Sequence, residues 1–118
     1  MQRHNFKKLK IWHESMALVK ETYSFTKSFP DHEKFSLVSQ LTRCAVSIPS
    51  NIAEGTSKST LKHFKTYLEI SLGSAFEWET QLIAYNEKYI SEEKFWELEN
   101  KVQQIQKMIS GFIDGLIK

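Results

Sequence analysis

Apolar residues in this chain recur at alternating spacings of three and four along nearly its whole length. That rhythm is the period of a helix and not of a strand. The longest run is Leu61, Phe64, Leu68, Ser71, Ala75, Trp78, Leu82, Tyr85 and Tyr89. A second run is Phe95, Leu98, Val102, Ile105, Ile109, Phe112 and Leu116. Leu9, Trp12, Met16, Val19, Tyr23 and Thr26 make a third, and Leu37, Leu41, Cys44 and Ile48 a fourth. Four such stripes joined by short loops predict one all-α domain over residues 1–118, an up-down-up-down, left-handed four-helix bundle.

Punctuation sets the boundaries. Phe29-Pro30-Asp31 ends the first helix, because a residue before proline is biased away from helical geometry. Asp31 is the better N-cap for the second, which is expected from about Glu33 to Glu54. Pro49 falls inside it and implies a kink, with Ser47 or a neighbour satisfying the freed carbonyls. Gly55 is expected as the residue just past the helix end. Ser59 or Thr60 can cap the third helix and Ser91 the fourth. Within the third, Ser71, Gly73, Ser74 and Ala75 are small. A mid-helix glycine costs about 1 kcal/mol against alanine, so close approach of a neighbouring helix is the expected compensation at Gly73.

Composition narrows the alternatives. Four glycines and two prolines in 118 residues are too few for the frequent turns of an all-β fold or for the glycine loops of nucleotide-binding folds. The longest stretch without a charged residue is Cys44–Ala53, too short for a membrane span. Met1 to Lys10 is charged and resembles no signal peptide. The lone cysteine cannot form an internal disulfide, which fits a reduced, cytoplasmic setting. Ile11, Leu18, Phe25, Val38, Val46, Ile52, Ile70, Phe76, Ile83 and Ile113 fall off the four stripes. That surplus exceeds what one small bundle should leave wet, so oligomerisation is expected.

The net charge of +2 is mild but unevenly spread. Residues 1–68 hold eleven Lys/Arg against five acids, and residues 69–118 hold five Lys against nine acids. Two basic clusters stand out: Arg3, Lys7, Lys8 and Lys10, and Lys58, Lys62 and Lys65 beside His63. Lysine and arginine neutralising phosphates give sequence-independent affinity for a nucleic-acid backbone. The Gly55–Thr60 loop lacks the spacing of a phosphate-binding loop and follows no strand. Arg43 and Glu54 sit on a largely uncharged helix, and a charge buried there needs a partner. Glu69, Glu77 or Glu79 are candidates for Arg43, within the chain or across a subunit boundary.

No constellation for catalysis is present in the sequence. The bundle di-metal motif Glu-x-x-His is absent, and His13-Glu14 is followed by Ala17 where a zincin needs histidine. Cys44 lies on an apolar stripe, as an inert buried thiol does. Ser47, Ser50 and Ser74 lack a glycine elbow. Glu69, Glu77 and Glu79 read as solvated or ion-paired carboxylates. Neither a metal nor a cofactor is expected.

The most specific stretch is Gln40-Leu41-Thr42-Arg43-Cys44-Ala45-Val46-Ser47-Ile48-Pro49-Ser50-Asn51-Ile52-Ala53-Glu54-Gly55. It resembles the signature Q-x-x-R-x-x-x-S-I-P-S-N-I-A-E-G of the bacterial four-helix-bundle family also called 23S rRNA-intervening sequence proteins. Leu9-Lys10-Ile11-Trp12, the segment from Tyr23 to Pro30, and Leu72-Gly73-Ser74-Ala75-Phe76-Glu77 fit the same family. Thr42, Cys44 and Phe35-Ser36-Leu37 depart from its commonest residues. The resemblance implies a four-helix bundle assembled as a homopentamer, and a relative that works with a reverse transcriptase and nucleic acid. It implies no enzymatic activity. Gln40, Arg43, Ser47, Pro49, Asn51, Glu54, Gly55, Gly73 and Glu77 carry the family pattern. Two functions follow as expectations: contact with an RNA or DNA backbone through the basic faces, or a scaffold for a reverse transcriptase or another protein.

Overall fold

The computed structural model describes residues 3–116, with the backbone alone at residues 85–87. The stripe residue Tyr85 lies outside the described side chains. Four helices form an all-α bundle: α1 (Lys10–Thr26), α2 (Ser39–Thr56), α3 (Leu61–Tyr89) and α4 (Glu92–Leu116). Each helix packs on its sequence neighbours, and α1 closes the circuit against α4. Among the described residues there is no strand, and no helix is long and apolar enough to cross a membrane.

Three stripes enter the core largely as the spacing predicts, although Leu61, the first residue of the α3 stripe, is exposed. Leu37, Leu41, Cys44 and Ile48 are buried, as are Phe64, Leu68, Ser71, Ala75, Trp78 and Leu82 on α3. On α4, Phe95, Leu98, Val102, Ile105 and Ile109 are buried, while Ile113 and not Phe112 completes the seam. Thr60 and Ser91 act as caps, accepting from the His63 and Lys94 amides at 3.2 and 3.1 Å.

The stripe on α1 is displaced. Its buried face is Ile11, Ser15, Leu18, Val19, Thr22 and Thr26, whereas Trp12 and Met16 are half-buried at the edge and Tyr23 is exposed. Size decides this more than polarity. Ser15, Thr22 and Thr26 donate to the carbonyls of Ile11, Leu18 and Thr22 at 2.8, 2.7 and 2.7 Å. A hydroxyl bonded to its own helix is satisfied, so small hydroxyl residues enter a close-packed layer that Trp12 would overfill. Ile11, Leu18, Ile52 and Ile113 of the apolar surplus are therefore ordinary core. Val46, Ile70, Phe76 and Ile83 remain exposed.

The second helix departs from expectation at both ends. Asp31 does not cap it. Asp31–Glu33 is a 3-10 turn and Lys34–Val38 a wide π turn before α2 begins at Ser39. The wide turn still buries Leu37, and Glu33 is anchored by hydroxyls of Ser36 and Tyr89, both at 2.7 Å. At the other end α2 runs through Pro49 and through Gly55 to Thr56. Near the proline, Asn51 Nδ2 donates to the Ser47 carbonyl and Ser71 Oγ to that of Ile48, each at 2.8 Å.

Gly55 is not the expected helix-ending residue, since no described glycine has a positive φ. Its reason is space: a Cβ there would stand 2.9 Å from Phe64 Cδ1 and 3.0 Å from Tyr67 Cβ. Gly73 shows the reverse, because a Cβ there meets nothing within 4 Å. The close approach expected at Gly73 occurs instead at Ser71 and Ser74, which bond directly to α2. We expect Gly55→Ala to destabilise the fold by about 1–2 kcal/mol through overpacking. Exposed Gly111, also without neighbours within 4 Å, should gain about 0.5–1 kcal/mol on substitution by alanine. Urea denaturation of the two variants measures both.

Candidate nucleic-acid interface

The two basic clusters, separated by some fifty residues in the sequence, meet at one end of the bundle. The antiparallel path of the chain puts the N-termini of α1 and α3 at that end. The segment before α1 is held there by specific contacts. Arg3 Nε donates to the Ser57 carbonyl at 2.9 Å. The His4 ring lies 5.3 Å from Phe64 and 5.8 Å from Phe112. Asn5 then caps a single 3-10 turn, Phe6–Lys8, by accepting from the Lys7 amide at 3.1 Å. His13 Nε2 is 2.5 Å from the Lys7 carbonyl oxygen.

Arg3, Lys7, Lys8, Lys10 and Lys62 are exposed, and Lys58 and Lys65 are half-buried. Lys58 lies 4.7 Å from the Tyr67 ring centroid and 4.0 Å from Glu54 Oε2, a surface pair of small energetic weight. The other six basic residues form no ion pair among the described residues. Two helix N-termini add their positive dipole ends to this surface. The arrangement can neutralise several phosphates on one backbone and has no means of reading bases.

The family-motif residues build a different feature. A cleft of about 590 Å³ opens between α2 and α3, lined by Gln40, Arg43, Ser47, Ser74, Glu77 and Gln81 among others. Ser47 Oγ and Ser74 Oγ are 2.8 Å apart, and Asn51 Nδ2 donates to Ser47 Oγ at 3.0 Å. Pro49 and Gly55 are buried, so the motif's centre is architectural. Phe35 stands at the cleft mouth, 89% exposed. Cys44 Sγ donates to the Ser74 carbonyl at 3.1 Å. Burial, with the neighbouring Glu77 carboxylate, pushes its thiol up to about 12, so it stays protonated and unreactive at neutral pH.

The expected ion pair between Arg43 and α3 does not form within the chain. Arg43, Glu69 and Glu77 are all exposed and make no salt bridge among the described residues. Arg43 points outward, so burial does not force a partner on it. Glu54 pairs with Lys58 instead.

One site escaped the sequence reading. Glu99 is buried beside Glu79 between α3 and α4. Gln103 Nε2 donates to Glu99 Oε1 at 2.9 Å and to Glu79 Oε2 at 3.2 Å, and Gln106 Nε2 to Glu79 Oε1 at 2.7 Å. The signal was Glu99's place directly after the seam residue Leu98 and four before Gln103, on the flank facing α3. No group of three potential metal ligands occurs among the described residues.

No protein of curated function matches the chain. Among solved structures, the chain is similar to a protein of unknown function from the S23 ribosomal protein family of Bacteroides thetaiotaomicron, with a TM-score of 0.80 and 25% identity. That likeness covers 87% of this chain and 97% of the other. The family model for the 23S rRNA-intervening sequence protein matches residues 7–111. With the signature carried on α2 of a four-helix bundle, the chain belongs to the 23S rRNA-intervening sequence protein family.

Proposed function

We propose that this protein is a non-enzymatic, cytoplasmic homo-oligomer, a pentamer as the family likeness implies, that holds an RNA or DNA backbone on the basic end of its bundles. The observation that carries the reading is the meeting of two distant basic segments around two helix N-termini, with an ordered arm fixing one to the other. Repetition around an oligomer multiplies this charge, and linked weak contacts bind far more tightly than one.

The test is binding of a structured RNA at graded salt, followed by fluorescence anisotropy. Affinity should fall steeply as salt rises, because bound phosphates release counterions. The triple variant Lys7→Glu, Lys8→Glu, Lys62→Glu should bind about tenfold or more weakly and show a shallower salt slope. Equal binding by the variant, or none by the native protein at low salt, removes this role. A second reading is a scaffold for a reverse transcriptase or another protein, without nucleic-acid contact. It draws on Phe35 and on Trp96, an exposed indole on α4.

A further inference from the structure

The third helix is apolar on two opposite sides. Its core side is Phe64, Leu68, Ser71, Ala75, Trp78 and Leu82. The opposite side, at spacings of three and four, carries Ile70, Gly73, Phe76, Thr80 and Ile83. Ile70, Phe76 and Ile83 are 47%, 50% and 52% exposed. A helix apolar on both sides is normally buried on both. Gly73 sits at the middle of this outer ridge. Nothing in its own chain occupies the space of a Cβ there, so its helical cost has no compensation inside the monomer.

A receptor for the ridge exists on the same molecule. A groove of about 230 Å³ runs between α1 and α2, lined by Trp12, Met16, Val19, Val46, Pro49 and Ala53 with Ser50. It is the displaced stripe of α1 facing the small residues of α2. Charge flanks the two surfaces with opposite signs. Arg43 stands one turn before Val46 on the exposed side of α2, and Glu69 and Glu77 border the ridge on α3. None of the three forms a salt bridge within the chain among the described residues.

We propose that copies of this chain assemble head to tail, the outer ridge of α3 in one copy seating in the α1/α2 groove of the next, with Arg43 facing the Glu69–Glu77 edge across the boundary. The proposal rests on the oligomer of the preceding section and supplies its contact. Ridge-on-ridge pairing of two α3 helices is disfavoured by charge. Glu69 and Glu77 are equidistant from Gly73, so an antiparallel pair centred there sets Glu69 against Glu77 twice. A ridge seated in a groove elsewhere on the same molecule is a heterologous contact, which makes a ring where the rotation between successive copies closes.

Native mass spectrometry and analytical ultracentrifugation test the arrangement with two exposed substitutions, Phe76→Asp on the ridge and Val46→Asp in the groove. Each variant alone should be a folded monomer, its helicity by circular dichroism matching the native chain. Mixed at equal amounts they should form a heterodimer, because one intact ridge and one intact groove remain. Arg43→Glu should weaken the ring at least tenfold, and adding Glu69→Arg and Glu77→Arg should restore it. A native protein that is itself monomeric overturns both the oligomer and this contact. A native oligomer that Phe76→Asp and Val46→Asp leave intact overturns the contact alone. Loss with Phe76→Asp but not with Val46→Asp points to ridge-on-ridge pairing and also overturns it.

Discussion

Phe64→Ala is expected to lower the stability of the protein by about 3–5 kcal/mol, the usual range for removing a fully buried aromatic ring. It should also weaken nucleic-acid binding by more than the lost stability explains. Phe64 is fully buried at the basic end, with Phe112 at 5.9 Å and His4 at 5.3 Å between ring centroids. It fills the space left by the absent Cβ of Gly55. The ring thus joins α2, α3, α4 and the arm before α1. Its removal leaves His4 with one aromatic neighbour, and the first residues of the arm are then held, among the described residues, mainly by the bond from Arg3 to the Ser57 carbonyl. Arg3, Lys7 and Lys8 then lose their fixed position relative to Lys58 and Lys62. Chemical denaturation reads the first effect. The second is read by comparing RNA affinity of Phe64→Ala with that of Leu98→Ala, a core change on α4 outside this aromatic cluster. Equal affinities in two folded variants would show that the aromatic anchor does not organise the basic end.

The helices themselves were legible because the 3-4 rhythm records burial directly, and three of the four core seams follow it except at Leu61, which is exposed, and at Phe112, which Ile113 replaces. Helix α1 was misread because hydropathy ranks Trp12 and Met16 above Ser15 and Thr22. The core selects by volume once a hydroxyl has bonded to its own backbone. Gly55 and Gly73 were misread in opposite senses for a related reason. A glycine in sequence says that a side chain is unwelcome, but not whether φ, a neighbour in the chain or a neighbour outside it forbids one. The basic end was visible only as two separate clusters. What unites them is tertiary: the antiparallel turn from α2 to α3, and His4 reaching Phe64 and Phe112. The sequence leaves the Arg43 pairing open between one chain and two, and an exposed guanidinium without a salt bridge removes the first alternative among the described residues.

Glu99→Gln should leave stability unchanged near pH 4 and raise it by about 2–3 kcal/mol at pH 8. Glu99 is 8% exposed, and its Oε2 is buried without a hydrogen-bond partner among the described residues. Burial first, then the adjacent Glu79, pushes the Glu99 carboxyl up to about 7. Glu79 goes the other way: against the burial that raises it, hydrogen bonds from Glu99, Gln106 and Gln103 hold it below the ordinary carboxylate value. The two therefore share one proton, with Glu99 protonated and able to donate toward Glu79 from the oxygen that otherwise has no partner. The sign follows from proton counting. Between the unfolded value of 4.5 and about 7, the folded state holds a proton that the unfolded chain has lost. Stability is thus fully present below pH 4.5 and falls as pH rises through 7. Above that, two carboxylates face each other in a dry layer between α3 and α4. Glutamine keeps the shape and the donor without the titration, so the variant should show no such loss. Urea denaturation from pH 4 to pH 8.5, at one protein concentration so that any assembly contributes equally, reads the difference. Parallel profiles for the two proteins would mean that Glu99 ionises freely. A variant weaker than the native chain at pH 8 would mean that the charged form is the one the core supports.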